Sequence, residues 1–257
     1  MNTYTLSVLS CILLFFGMVS FTALGHRAGR RRLRSKSVDE EFTTAVVDAA
    51  IMSLLGLLIA FTFSKAYSRY EKRRDLIVQE VNEIGTAYMR LQLLPAERQA
   101  SLRAKFHDYV TSRYQTWMLL DDRTAAQREY EKSVKLQSEI WSDAVDATNN
   151  DTDDARKLLL PALNDMIDIT TTRLIAMQSH PPLLVYLLLG ALSLAAAWTI
   201  GFGMGGSERL SLLHAVGFAG AITLALFVTL DIEFPRHGFV RLDAPHEMLL
   251  QLSEEMK

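Results

Sequence analysis

The chain has 257 residues, a formal charge of −2 from 27 basic and 29 acidic side chains, and 49% hydrophobic residues beside 22% charged ones. Near-balanced charge excludes the basic face of a nucleic-acid binder, and a single cysteine excludes a disulfide framework or a cysteine metal site within one chain. So much apolar content beside so much charge requires segregation along the chain, and the hydrophobic residues gather in four runs at 6–24, 45–63, 183–204 and 212–230.

The first run carries no charged side chain, holds Cys11, and is followed rather than preceded by basic residues. It lacks the n-region and small-residue cleavage site of a secretory signal, so it reads as a retained anchor. At about 1.5 Å per residue, a run of this length matches a hydrocarbon core of roughly 30 Å. The stretch "HRAGRRRLRSK" reads as a basic loop carrying Arg27, Arg30, Arg31, Arg32, Arg34 and Lys36.

The second run is interrupted only by Asp48, and no proline or turn cluster follows until Pro95. The pattern predicts one helix over 45–94, about half of it beyond the bilayer, as the spine for the helices that follow. With about 100° per residue, Asp48, Met52, Leu55, Ile59, Thr62 and Arg69 share one stripe, while Ala49, Ser53, Gly56 and Ala60 share another. Small residues at such spacing let membrane helices approach closely, so the second stripe is expected to pack against a neighbouring helix. The first has polar ends and an apolar middle. Repeated around an axis it would line a pore, with an acidic ring at Asp48, a constriction at Leu55 and Ile59, and a basic ring at Arg69. Ordinary packing of Leu55 and Ile59, an interfacial position for Asp48, and lipid or solvent contact for Arg69, Arg73 and Arg74 are the alternatives.

Residues 65–182 are polar and helical in period throughout. Leu102, Phe106, Tyr109, Val110, Tyr114 and Trp117 mark one face of a segment after Pro95. Further helices are expected over 124–147 and 154–178, with Pro161 in the first turns or at a kink and "HPP" as the stop. The last two runs are membrane spans joined by "GFGMGGSERL", read as a tight hairpin loop; His214 is the only His, Lys, Arg, Asp or Glu in them. Residues 231–257 read as a polar, solvated tail. Its Asp231, Glu233, His237, His246 and Glu247 show no metal-ligand spacing, so neither metal nor cofactor is expected.

"GLLIAFTFSKAYSRYEKRR", followed by "EVNEIGTAYMRLQLLP", resembles the bestrophin-like family of bacterial membrane proteins. More distantly it resembles the F-R-x-x-x-x-Y-x-R-[WY]-x-x-x-R stretch of true bestrophins. The residues that carry the likeness are Ser64, Tyr67, Arg69, Tyr70, Arg73, Arg74 and Gly85, together with Asp231, Pro235, Arg236 and Gly238 in "LDIEFPRHGFVRL". Thr62 stands where true bestrophins carry the first arginine of the stretch. The resemblance implies an oligomer, pentameric in bestrophins, with the second span lining a central ion pathway.

The expected architecture is therefore an all-α membrane protein with four transmembrane helices and a helical extramembrane domain between the second and third. Its parts are a first helix pair with its basic loop at 1–64, the domain at 65–182, a second pair at 183–230 and the tail at 231–257. No phosphate-cradling loop, H-E-x-x-H or glycine-flanked nucleophile appears, so no enzyme is expected. The expected function is a homo-oligomeric ion channel of the bacterial plasma (inner) membrane, multi-pass, with membrane lipid and inorganic ions as its partners and a preference for cations set by Asp48. The alternative is a non-conducting sensor or scaffold whose helical domain binds a partner. Charge counting places the basic loop in the cytoplasm and the domain outside; the resemblance implies the reverse.

Overall fold

The computed structural model describes residues 3–32, 38–149, 153–207, 209–236 and 238–257, and among these it is all helical. In chain order the helices are α1 (Thr3–Arg32), α2 (Val38–Arg90), α3 (Ala96–Met118), α4 (Arg123–Thr148), α5 (Asp153–Gln178), α6 (Leu183–Gly203), α7 (Leu212–Glu233) and α8 (Asp243–Glu255). Four helical stretches, Tyr4–Arg31, Val46–Leu93, Asp154–Gly206 and Leu212–Glu233, hold windows long and apolar enough to cross a membrane. In the third of these stretches, α6 is the part free of charge.

α2 is unbroken for 53 residues, longer at its start than the sequence pattern predicts. It ends where a short 3-10 turn, Leu91–Leu93, leads into Pro95, whose fixed φ starts α3. α1 also outruns its expected span: Arg27, Arg30 and Arg31 lie on its last turns rather than in a loop. The rest of the expected basic loop, 33–37, lies outside the described residues.

The chain divides into two compact units. The first comprises Met1–Tyr70 and His180–Arg241. Its α1 packs chiefly along α6 and then α7, around Met18, Ala197 and Ala219. Two G-x-x-x-G pairs make the α1–α6 contact: Gly25 and Gly29 on one side, Gly201 and Gly205 on the other. A methyl at Gly25 would overlap the Trp198 carbonyl, one at Gly29 the Phe202 carbonyl, and one at Gly201 the Thr22 carbonyl. Only glycine permits this backbone approach, which replaces the hydrophobic driving force that lipid cannot supply. "GFGMGGSERL" is thus only partly a loop. α6 runs to Gly203, a 3-10 turn follows, and His26 is 3.2 Å from the Ser207 carbonyl oxygen.

The second unit comprises Glu71–Ser179 and Leu242–Lys257. The rear half of α2 supplies Ile84, Ala87 and Leu91 to a core completed by Leu102, Phe106 and Tyr109 of α3, Ile140 of α4, Leu163 and Met166 of α5, and Leu249 of α8. Buried Gln137 donates to the Tyr109 hydroxyl at 3.0 Å, so the one phenol sunk in this core is satisfied. The Asp122 carboxylate caps α4 by accepting from the Thr124 and Ala125 amides at 2.9 and 3.0 Å. Pro161 sits inside α5, two turns from its start. The C-terminal segment is not a solvated tail: α8 buries Leu249, Ser253 and His246, and Ser253 meets Thr111 of α3 at 2.9 Å.

Candidate functional site

The site follows from how α2 turns its faces. From Asp48 its inward residues recur in steps of four and three: Met52, Leu55, Ile59, Thr62, Ala66, Arg69, Arg73, Leu76 and Glu80. Leu55, Ala66, Arg73, Leu76 and Glu80 are buried and the others half-buried. Ile84, Ala87 and Leu91 extend the seam into the core of the second unit. The stripe expected to line a pore is therefore the upper part of a heptad packing seam that serves both units in turn.

Residue by residue, this changes the expected roles. Leu55 is 1% exposed, buried inside the protomer, so it forms no constriction on an outer face. Met52 and Ile59 are half-buried beside it. The Thr62 hydroxyl donates to the Leu58 carbonyl at 2.7 Å, turned back on its own helix. Asp48 is half-buried near the start of the apolar stretch. The small residues Ala49, Ser53, Gly56 and Ala60 are all exposed, and a methyl added at Gly56 would meet nothing within 4 Å. Diametrically opposite the seam lies a third line of positions: Ala50, Ser53, Leu57, Phe61, Ser64 and Ser68. All six are exposed, Leu57 at 51% and Phe61 at 60%.

Where α2 leaves its apolar stretch, Arg69 is held by Glu233, the last residue of α7. The guanidinium donates from Nε to both carboxylate oxygens at 3.1 and 2.9 Å and from Nη2 to Oε2 at 2.6 Å. Glu233 is 1% exposed, and His180 Nδ1 lies 2.9 Å from its Oε1. The His180 ring stacks on Phe234 at 4.9 Å. A carboxylate so buried needs a charged partner, and the Arg69 guanidinium supplies it. Arg69 is thus a clamp between α2 and α7 rather than a member of a basic ring.

Two residues earlier on α7, the Asp231 carboxylate accepts from the Phe239 amide at 3.1 and 3.0 Å and from the Val240 amide at 3.0 Å. Gly238 must be glycine here, because a methyl would overlap the carboxylate. Tyr70 donates its hydroxyl to the Arg241 carbonyl at 3.3 Å. The turn after α7 is therefore tied to α7 through Asp231 and to α2 through Tyr70. Pro235 is buried and Arg236 half-buried in the same turn; His237 lies outside the described residues.

The remaining resemblance residues divide between structure and surface. Arg73 is buried and donates to the Ala176 and Ser179 carbonyls at 3.1 and 2.9 Å, placing positive charge at the C-terminal end of α5. Arg74 is exposed and pairs with Asp75. Ser64 and Tyr67 are exposed, and Gly85 is half-buried near Leu252. His214 sits in the first turn of α7, exposed, with its Nδ1 2.6 Å from the Ser211 hydroxyl. Asp231, Glu233 and His246 are buried and partnered, which corrects the reading of a solvated tail, while Glu247 is exposed. Among the described residues no group of three His, Cys, Asp or Glu is placed to hold a metal.

Sequence reasoning missed the clamp because its partners lie 164 residues apart in the chain. The heptad seam left a signal: the four-three spacing that begins at Asp48 continues unchanged through Glu80.

These features define a class: an all-α membrane protein with four apolar helices, whose long second helix is clamped to the end of the fourth apolar one by an arginine–glutamate pair. The chain belongs to the Bestrophin-like family, whose domain it matches over residues 12–244. Two solved structures of a bacterial bestrophin homologue from Klebsiella pneumoniae, each a point variant, share the fold. One has a TM-score of 0.67 and covers 96% of this chain and 98% of that one, and the other has a TM-score of 0.68 with 95% and 98%; both are 14% identical. Comparison with curated protein sequences finds no significant match.

Proposed function

We propose that the protein is a homo-oligomeric ion channel whose pathway runs along the face of α2 opposite its packing seam. The observation that carries this reading is that an apolar helix in a folded protomer leaves Leu57 and Phe61 half or more exposed, at i and i+4, between Ser53 and Ser64. Membership of the Bestrophin-like family and the likeness to bestrophin homologues support a channel. On an axis of symmetry, Leu57 and Phe61 form hydrophobic rings that gate by dewetting, and Ser53 and Ser64 form hydroxyl rings on either side. This replaces the constriction assigned to Leu55 and Ile59. The small stripe of Ala49, Ser53, Gly56 and Ala60 borders the same face and allows neighbouring copies of α2 to approach closely.

By family resemblance the assembly is a pentamer in the bacterial inner membrane, and the unit built on residues 65–182 is its extramembrane domain. The cation preference expected from a ring of Asp48 carboxylates does not carry over to this pathway, because Asp48 begins the packing seam on the other side of α2.

Ion flux through purified protein in liposomes tests the reading. Flux is expected, Phe61→Ala is expected to raise it, and Asp48→Asn is expected to leave the preference between potassium and chloride unchanged in reversal-potential measurements. An assembled oligomer without flux would make the protein a membrane-anchored sensor or scaffold instead. A channel indifferent to Phe61→Ala would move the pathway off this face.

A further inference from the structure

Four helices of the second unit meet through one chain of buried polar side chains. Glu80 of α2 is fully buried; its Oε1 accepts from Arg113 Nε of α3 at 2.7 Å, and its Oε2 pairs with Arg173 of α5. Arg173 Nη2 lies 3.0 Å from His246 Nε2 of α8, and His246 Nδ1 lies 2.7 Å from the Leu242 carbonyl oxygen. The imidazole stacks on Trp117 of α3 with ring centroids 3.8 Å apart and planes 10° from parallel.

These partners assign the protons of His246. A carbonyl only accepts, so Nδ1 carries the hydrogen; a guanidinium only donates, so Nε2 offers its lone pair. The imidazole is therefore neutral in place. A second proton belongs on Nε2, where it would face an Arg173 N–H at hydrogen-bond distance and add a positive charge beside two buried guanidinium groups and one carboxylate. Burial lowers Arg173 to about 10, still far above neutral, so it stays a cation across the relevant range.

Charged and ring groups face His246 from several elements. Arg173 comes from α5, with Glu80 of α2 and Arg113 of α3 behind it; α3 presents the uncharged Trp117; on α8 itself Asp243 and Glu247 are exposed. Glu83, one turn beyond Glu80, is a separate carboxyl that burial pushes above the usual range, reinforced by Asp165 and Asp168 and opposed by a hydrogen bond from Gln79.

We propose that α8 is an acid-released latch, seated on the helical unit while His246 is neutral and unseated when His246 takes a second proton. The sign follows from proton counting. Released α8 carries an ordinary histidine, half-protonated near pH ~6.5, whereas the seated one does not accept that proton. Below about 6.5 the released state binds one more proton than the seated state, so the seating equilibrium weakens by up to about tenfold per pH unit; above it, seating is constant. The buried Leu249 and Met256 and the Ser253–Thr111 contact oppose release.

Hydrogen exchange read by mass spectrometry on the full chain in lipid nanodiscs, from pH 8 to 5 and corrected for intrinsic rates, tests the latch. Protection of peptides from α8 is expected to be level above about pH 6.5 and to fall by up to about tenfold per unit below it, while peptides from α4 stay level. His246→Gln keeps an acceptor for Arg173 without a titratable group, so its α8 protection should be independent of pH. Glu83→Gln should keep the wild-type slope. Level α8 protection in the wild type, the same slope in His246→Gln, a slope lost in Glu83→Gln, or simultaneous loss of protection in α4 and α8 would each overturn the proposal. The contrast between α8 and α4 in the wild type decides it even if His246→Gln fails to fold.

Discussion

At the scale of single residues, the first unit is tied together by charge buried at the end of α7. Glu233 is inaccessible to water, and Arg69 supplies three of its hydrogen bonds. Replacing Arg69 with Met removes the guanidinium and its three hydrogen bonds to the carboxylate. Breaking a buried pair from one side costs about 3–5 kcal/mol, so thermal unfolding in detergent should shift strongly downward for Arg69→Met. Gly238→Ala acts through sterics at the neighbouring carboxylate. The added methyl overlaps Asp231, so either the carboxylate gives up the Phe239 and Val240 amides or the turn shifts. A loss of about 1–3 kcal/mol is expected, with faster exchange of those two amides as its signature.

At the scale of elements, one class of residue does two different things. Gly25, Gly29, Gly201 and Gly205 bring α1 and α6 into backbone contact, whereas Gly56 on α2 faces open space within the protomer. Gly201→Leu should therefore force α1 and α6 apart at a cost of about 1–3 kcal/mol or more, and the protomer should unfold at lower temperature. The same side chain at Gly56 meets nothing within the chain and should leave protomer stability unchanged. The paired melting curves of these two variants separate a contact inside the chain from a face turned outward.

At the scale of the whole molecule, the exposed face of α2 is where the fold remains open. A stretch that runs from Val46 through Leu54, Leu57, Phe61 and Phe63 leaves large apolar side chains uncovered, and the small stripe lies beside them. In the proposed homo-oligomer a second copy of α2 covers the small stripe, because close approach gives packing that lipid tails do not. Gly56→Leu is expected to lower the oligomer mass measured in mild detergent while leaving the protomer folded. Unchanged mass would mean that copies meet elsewhere.

The sequence by itself determined the four apolar runs, the all-helical class and the unbroken course of α2, because hydropathy and periodicity are properties of neighbouring residues, and it carried the family through the resemblance of its motif residues. It also displayed both stripes of α2 and the spacing of the heptad seam. It did not determine which stripe faces inward, since a period sets the angle between faces and leaves their phase relative to the core free. The tertiary structure decided that: Leu55 and Ala66 turn to the protomer's interior, and Leu57 and Phe61 turn out. It also decided the fate of Asp231, Glu233 and His246. Their composition reads as a solvated tail, yet all three are buried: Asp231 accepts from the nearby Phe239 and Val240 amides, while Glu233 meets Arg69 and His246 meets Arg173, partners distant in sequence that only folding brings near.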